Sequence, residues 1–321
     1  CGMPIAKTER RFGRDRPKDR NRIRSRCGGI GSARRKPPHK KGEAMNATTE
    51  LKRFMTDDST TEQVERIIGK AVEFGADLAG AAAVGPLKTS PSHRVNPRIP
   101  AYNGVGTREN AQSPEEQKAG WSADAKTALV IALSHPEDAP ELDWWDGLKG
   151  TPGNRRLIGI NKRLSDWLRA EMAMQTWPLP YHVEKGGIFL KDAAVAAGIG
   201  VVGRNNLLVT EQFGPRVRLR CLLVDADLPA TGPAAADPCD GCPAPCRDAC
   251  PNAAFAEQVY ADETLGAHLP GRDGTYSRLV CNQRMEEDIA TAEPMPATQD
   301  RGAYARIKYC RACELACIAG L

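Results

Sequence analysis

The sequence predicts an α+β protein with two folded parts, an α/β domain over residues 45–230 and a smaller cysteine-rich domain over residues 231–321. Three observations support this division. Segments with helical and strand-like patterns follow one another from Ser59 to Asp225, a run of small residues and prolines occupies 229–238, and eight of the eleven cysteines follow that run. A chain of 321 residues is long enough for two hydrophobic cores.

The first 44 residues differ from the rest of the chain. They hold fifteen Lys/Arg against four Asp/Glu, so the formal charge of +5 becomes about −6 from Met45 onward. A basic segment with almost no apolar periodicity cannot bury enough surface to fold. We interpret residues 1–44 as a disordered basic head or as spurious upstream sequence, since the chain opens on Cys1.

The α/β domain is predicted from periodicity. Ser59 to Glu62 has the pattern of a capping box, which predicts that a helix begins there and ends at Gly75. Strands are predicted over 77–84, 128–133 and 216–225, helices over 154–174 and 188–197, and a long irregular loop over 86–120. The Trp-Pro-Leu-Pro segment at 177–180 is predicted to stop the second helix.

The cysteines form two arrays whose spacing is typical of iron–sulfur ligands. Cys239, Cys242, Cys246 and Cys250 fall within twelve residues and are followed by a proline, and Cys310, Cys313 and Cys317 close the chain, with Cys281 between the arrays. Eight thiolates are the number that two [4Fe–4S] clusters need. Clustered spacing in a chain without an export signal favours metal over disulfides, and the predicted location is the cytoplasm.

The two-cluster pattern also predicts the ligand sets, because the last cysteine of each run crosses to the other cluster. Cys239, Cys242 and Cys246 would then share a cluster with Cys317. Cys281, Cys310 and Cys313 would share the second with Cys250. A zinc site formed by the two C-x2-C pairs is the main alternative, and disulfides are a weaker one.

Other features have simpler interpretations. The glycines at 198, 200 and 203 match G-x-G-x-x-G, but a helix pattern precedes them and a strand pattern follows, which is the reverse of a dinucleotide site. They indicate that the backbone comes close to another group at these positions. Cys221, in an apolar stretch, is predicted to be a buried core thiol, and Glu184 lies at a predicted helix start.

The segment from Glu184 to Pro229 resembles epoxyqueuosine reductases. It carries Glu-Lys-Gly-Gly, then Ala-Ala-Gly-Ile-Gly-Val-Val-Gly-Arg-Asn-Asn-Leu-Leu, then Leu-Leu-Val-Asp-Ala-Asp-Leu-Pro. The cysteine runs and the early helix and strand fit the same order. The resemblance, which extends to the related reductive dehalogenases, implies a nitroreductase-like domain that binds cobalamin and a two-cluster ferredoxin-like domain that feeds it electrons.

Residue roles follow from the same resemblance. Glu184 falls where epoxyqueuosine reductases place a proton-donating aspartate, and Arg204 stands where lysine is usual. Gly200, Gly203, Arg204 and Asn205 are the implied cofactor-binding residues. The aspartate-to-glutamate difference leaves proton donation possible but shifts its reach by a methylene, so the substrate stays open. Together with the acidic composition from Met45 onward, it favours a paralogue over an epoxyqueuosine reductase itself.

The resemblance implies an oxidoreductase that takes electrons from a low-potential donor such as a ferredoxin or flavodoxin. Its substrate would be a small molecule or nucleoside. Transfer RNA is less favoured, because the chain from Met45 onward is acidic overall. No apolar run reaches the length of a membrane span. The alternative is a two-cluster electron-transfer protein that docks a partner oxidoreductase and binds no corrinoid.

Overall fold

The structure, a computed structural model, describes residues 44–99, 121–148, 150–183 and 186–321, and the side chains from Ser59 onward. Residues 1–43 of the basic head and Glu184 lie outside the described residues. Thr49–Leu321 form one compact unit, within which the boundary near residue 230 stays a prediction. In this described part of the chain, no helix is both long and apolar enough to span a membrane.

The helices and strands alternate as far as residue 224 and become sparse after it. The helices are α1 (Ala44–Glu73), α2 (Val84–Leu87), α3 (Pro91–Val95), α4 (Pro152–Met172), α5 (Leu190–Ala196), α6 (Pro245–Asp248), α7 (Arg278–Ala290) and α8 (Ala312–Leu315). The strands are β1 (Leu78–Ala83), β2 (Thr127–Ser134), β3 (Thr176–Pro178), β4 (Val201–Val202), β5 (Leu208–Val209), β6 (Val217–Val224), β7 (Glu293–Met295) and β8 (Tyr304–Arg306). Single 3-10 turns lie at Asn96–Arg98, Pro140–Asp143, Gly266–His268 and Pro270–Arg272.

An antiparallel sheet in the order β1-β2-β6-β3 separates two hydrophobic cores. Side chains alternate along each strand, so the two faces of β6 enter different cores. Cys221 and Leu223 pack with α5, whereas Leu222 and Val224 pack with α1 and α4. The predicted mixture of helices and strands is confirmed, and Cys221 is a buried core thiol as expected.

Helix α4 follows its sequence pattern closely. Its buried residues Leu157, Ile160, Leu164 and Leu168 recur at helical spacing and face the sheet. The Thr151 side chain accepts a hydrogen bond from the backbone N–H of Asn154 and caps the first turn. The helix ends just before Ala173, which adopts a left-handed conformation with φ 51°.

Three local expectations are wrong. Helix α1 begins at Ala44 rather than at the capping box, because the residues that precede Ser59 include many good helix formers, over which the helix continues. Helix α4 ends at Met172, before the 177–180 segment that was expected to stop it, and Pro178 instead belongs to β3, where an edge strand tolerates a residue without an N–H. The expected loop after residue 86 contains the helix α3, which Pro91 begins at its first position; residues 100–120 lie outside the described residues.

Candidate metal centre

The first cysteine group encloses a small cavity. Cys239, Cys242, Cys246 and Cys317 all line it, and all of them except Cys242 are buried. Cys239 and Cys242 lie in the loop before α6, Cys246 lies in α6, and Cys317 follows α8. Burial raises the pKa of the Cys246 thiol to about 11, with further contributions from Cys317, Cys239 and Cys242. The structure therefore brings together four thiols from positions up to 78 residues apart.

The second cysteine group lies next to the first. Burial raises the pKa of the Cys313 thiol to about 12, and the neighbouring thiols of Cys281, Cys310 and Cys250 raise it further. Cys281 lies on α7 and Cys313 on α8. Cys313 also packs against the buried residues of the first group, so the two groups are in contact. Cys310 is the exposed member.

The grouping follows the crossed pattern of the two sequence runs. Cys250 ends the first run but lies with the second group, and Cys317 ends the second run but lies with the first group. This placement is what shared cluster ligands require. The ligand roles themselves stay predictions.

The donor set can be tested against the metal that it would hold. Among the residues that the structure describes, no three His, Cys, Asp or Glu side chains are arranged to hold one metal ion. A structural zinc ion needs four ligands around a single centre, with each sulfur about 2.3 Å from it. In a [4Fe–4S] cluster each thiolate binds a different iron, so the thiolates surround a larger group. Each cysteine group supplies the four thiols that one such cluster takes, and the assignment of clusters rather than zinc stays a prediction from the cysteine spacing.

Backbone N–H groups also point at the thiols. The N–H of Ala244 donates to Cys242 Sγ over 3.4 Å, and the N–H of Ala254 donates to Cys250 Sγ over 3.3 Å. Hydrogen bonds to ligand sulfurs favour the thiolate and are one of the means by which proteins set cluster potentials. In each cysteine group, therefore, a backbone N–H donates a hydrogen bond to a cysteine sulfur and stabilises its thiolate form.

The segment after α5 packs against the cysteine loops. Arg204 donates to the carbonyl oxygen of Cys242 over 3.1 Å, and Asn205 Nδ2 donates to that of Cys313 over 3.3 Å. Both residues line the first cavity. A Cβ on Gly203 would lie 3.3 Å from Cys239 Sγ, and one on Gly200 would collide with the Val209 carbonyl.

These contacts bear on the corrinoid that the resemblance implies. Gly200 and Gly203, which the resemblance implies bind the cofactor, instead lie close to other parts of the chain. The same holds for Gly198, where a Cβ would lie 2.7 Å from the Thr231 carbonyl oxygen. On the side where a Cβ would stand, these three glycines therefore pack against other atoms of the chain. Corrinoid contacts from Gly200, Gly203, Arg204 and Asn205 stay a prediction.

Two arginines join the sheet to the last cysteine run. Arg216 Nη1 donates to the carbonyl oxygen of Cys317 over 3.1 Å, and its Nη2 donates to those of Ala319 and Gly320. Arg218 Nη2 donates to Glu314 Oε2 over 2.9 Å. Carbonyl and carboxylate acceptors of the C-terminal segment are thus bound from one strand.

A buried ionic network continues from Arg218. Its Nε donates to Asp143 Oδ1 over 2.9 Å, and Asp143 also pairs with Arg311 at 3.2 Å and with the fully buried His135 ring at 2.8 Å. Burial alone would raise the pKa of Asp143, but the His135 hydrogen bond and the nearby Arg218 guanidinium outweigh it and hold that pKa below its usual value. Burial alone would lower the pKa of Arg218, but the carboxylates of Glu314 and Asp143 raise it.

Sequence reasoning missed these arginines. The signal was present as alternating arginines at positions 216, 218 and 220 in an otherwise apolar strand. Buried arginines need partners. The partners Asp143 and Glu314 lie 75 and 96 residues from Arg218, and their local patterns did not mark them.

The region of the predicted acid is described only on either side of it. Glu184 itself lies outside the described residues. The N–H of Gly187 donates to the carbonyl oxygen of His182 over 2.9 Å. Tyr181 is exposed, and its ring lies against the Arg220 guanidinium, 5.3 Å from centroid to Cζ.

Known structures share this fold. An epoxyqueuosine reductase bound to an epoxyqueuosine-modified tRNA-Tyr stem loop matches with a TM-score of 0.52 and 19% identity over 81% of this chain. The epoxyqueuosine reductase from Bacillus subtilis gives 0.52 with 17% identity over 81%, and that from Streptococcus thermophilus gives 0.51 with 19% over 79%. The chain spans 65% of the length of each.

No family model and no curated protein matches the sequence. At these identities the structural likeness shows the fold alone. The resemblance that the sequence indicated is therefore confirmed at the level of the fold, which is that of epoxyqueuosine reductases.

Proposed function

We propose that the chain is an oxidoreductase in which two [4Fe–4S] clusters supply electrons to a reaction in the α/β part, as the resemblance to epoxyqueuosine reductases implies. The observation that carries this proposal is the crossed grouping of the eight cysteines. Two adjoining groups of four thiols, each composed from both runs, are the donor set for two neighbouring clusters. When bound, the clusters supply one-electron transfer.

The exposure of the cysteines supports an order in which electrons would pass through the two groups. Cys310 of the second group is exposed, whereas Cys239, Cys246 and Cys317 of the first are buried. An external donor, a ferredoxin or flavodoxin in this proposal, meets the second group first. The first group is tied to β6 through Arg216 and so lies toward the α/β part, where the substrate would bind.

The substrate proposed is a small molecule or a nucleoside, with Glu184 as the proton donor. A glutamate at this position would act as a general acid if burial raised its pKa toward neutrality. The match to a protein bound to a tRNA stem loop makes a tRNA-borne nucleoside a second substrate class. The acidic composition from Met45 onward supports the smaller substrates.

The proposed acceptor cofactor is a corrinoid, which rests on the sequence resemblance. Since Gly198, Gly200 and Gly203 pack against the chain itself, we derive no corrinoid contact or reaction step from them. That same observation favours the second candidate function, a two-cluster electron-transfer protein that docks a partner oxidoreductase.

Cobalamin binding separates the two candidates. The full chain is purified without oxygen, incubated with hydroxocobalamin, passed through a desalting column and measured for iron, sulfide and cobalt. Cobalt retained at about one per chain, with iron and sulfide present, supports the reductase. Iron and sulfide without retained cobalt support the electron-transfer protein.

Glu184 has its own test. If it is the acid, Glu184→Gln lowers turnover by about 100-fold while the iron content stays that of the unaltered protein, and Glu184→Asp restores part of the rate. The conservative Glu211→Gln, an exposed position in the turn before Gly214, serves as the control. Unchanged turnover in Glu184→Gln would remove the residue from the mechanism.

A further inference from the structure

Three alternating arginines, Arg216 just before β6 and Arg218 and Arg220 within it, differ in which groups balance their charge. Arg216 binds three backbone carbonyl oxygens, and Arg218 binds the carboxylates of Asp143 and Glu314. Arg220 follows Arg218 on the same face of the strand, the face that packs toward α4. Among the described residues, Arg220 has neither the carboxylate partners of Arg218 nor the three carbonyl acceptors of Arg216.

Arg220 is a buried cation. Its side chain is 7% exposed, and burial lowers its pKa. Its Nε and Nη2 both donate to one atom, Asn154 Oδ1, over 3.2 and 2.6 Å. No carboxylate of the described residues forms an ion pair with it. An amide oxygen satisfies a donor but carries no net charge, so no carboxylate of the described residues offsets the free-energy cost of burying this cation.

Part of the guanidinium remains available. A guanidinium has five N–H donors in a planar fork, and Nη1 of Arg220 donates to no protein group in the described part of the chain. Two parallel N–H groups of such a fork match the two oxygens of a carboxylate or phosphate. The ring of Tyr181, a residue that is 53% exposed, lies against the guanidinium, with 5.3 Å from the ring centroid to Cζ.

We propose that Arg220 binds an oxyanion, a carboxylate or phosphate group carried by the ligand of the α/β part, with the Tyr181 ring forming one wall of the subsite. Tyr181 is three residues before Glu184 in the chain. The ligand anion would supply the counter-charge that the protein lacks at this position. The identity of the ligand as substrate or cofactor rests on the proposed function, whereas the anion site does not.

Calorimetric titration of the full chain with two probes, benzoate and inorganic phosphate, tests this subsite. The protein is purified without oxygen and kept in Tris chloride, which contains no oxyanion. Arg220→Gln should weaken binding of the preferred probe by about 10- to 100-fold, the loss expected for a charge-assisted hydrogen-bonded pair. Arg220→Lys keeps the charge but not the fork and should weaken it less. Arg156→Gln removes an exposed arginine of α4 and should change nothing.

The preferred probe distinguishes the two sources of the anion. Tighter binding of benzoate indicates a substrate carboxylate, and tighter binding of phosphate indicates a phosphate of a cofactor or nucleotide. The proposal is overturned if the unaltered protein binds neither probe, or if Arg220→Gln binds as tightly as the unaltered protein. Failure of the proposed function would appear instead as absent iron and sulfide, which this titration does not measure.

Thermal unfolding without added anion separates a binding role from a structural one. The glutamine amide can still donate to Asn154, and the uncompensated charge is gone, so Arg220→Gln should melt at the same temperature as the unaltered protein or higher. Phosphate or benzoate should raise the melting temperature of the unaltered protein but not that of the variant. A lower melting temperature of Arg220→Gln, with no anion effect on either protein, would assign Arg220 a structural role.

Discussion

Arg216 Nη1 donates a hydrogen bond of 3.1 Å to the carbonyl oxygen of Cys317, the last cysteine of the chain. The bond joins the start of the central strand β6 to a residue that lines the first cysteine cavity. Electron transfer between a cluster and the α/β part requires a fixed distance between them. If the first cysteine group holds a cluster, as proposed, this pair would help to fix that distance.

Arg216→Gln should therefore loosen the first cysteine group more than it changes the sheet. Three hydrogen bonds to the C-terminal segment are lost, while β6 keeps its pairing with β2. We expect one of two cluster signals to shift or weaken in electron paramagnetic resonance spectra of the reduced protein. Arg156→Gln, at an exposed position of α4, is the matched control. Identical spectra for Arg216→Gln and the unaltered protein would contradict this role.

Replacement of single cysteines should reveal the crossed pairing. Cys317→Ala and Cys239→Ala should abolish the same cluster signal, and Cys250→Ala and Cys310→Ala should abolish the other, because the structure groups them so. Each variant should retain about half of the iron. Cys221→Ala removes a buried thiol outside both groups and should retain all of it. If Cys250→Ala and Cys239→Ala abolished the same signal, the pairing would follow the sequence runs instead.

Asp143 should contribute to stability through the buried network. Asp143→Asn leaves Arg218 and Arg311 with Glu314 as their remaining carboxylate. Because removal of one member of a buried ion pair leaves uncompensated charge, we expect a loss of about 3 kcal/mol in the free energy of unfolding. Urea unfolding at pH 7 measures it. Glu141→Gln, an exposed carboxylate in the same 3-10 turn, is the control and should change the free energy by less than about 0.5 kcal/mol.

The same residue should produce a dependence on pH. The folded protein holds the pKa of Asp143 below its usual value, so the unfolded chain binds a proton at higher pH than the folded one. The stabilisation is therefore fully present above the usual aspartate pKa and is lost as the pH falls through the lowered value. The free energy of unfolding of Asp143→Asn should fall less steeply with acid than that of the unaltered protein. Parallel curves would show that another group controls the acid response.

Two glycines provide a contrast in packing. A Cβ on Gly203 would meet the Val209 side chain and lie 3.3 Å from Cys239 Sγ, whereas one on Gly159 meets nothing within 4 Å among the described residues. Gly159→Ala in α4 should raise the free energy of unfolding by about 1 kcal/mol, since alanine is the better helix former. Gly203→Ala should lower it and reduce the iron content. Equal effects of the two substitutions would show that the cysteine loop adapts to added volume.

The parts of the fold that the sequence predicted are those set by local pattern. The helix around Leu157 and Leu164 and the strand that ends at Val224 follow from the spacing of apolar residues. The grouping of Cys250 and Cys317 was also predicted, because the spacing of cluster ligands is a property of the metal group rather than of the surrounding protein.

Contacts between distant segments could not be predicted from local sequence patterns. Asp143 looks in the sequence like a solvated turn residue, and its role depends on Arg311, which lies 168 residues later. Helix α1 continues before Ser59 because helix propensity outweighs a capping pattern in the interior of a helix. The glycines at 200 and 203 showed that backbone comes close to something, but only the structure shows that it is the chain itself.

The central claim is that the two cysteine groups hold two [4Fe–4S] clusters. Its most direct test is the iron, acid-labile sulfide and zinc content of the full chain purified without oxygen, measured on one sample. We expect about eight iron and about eight sulfide per chain, with little zinc. About one zinc per chain with no sulfide would contradict it.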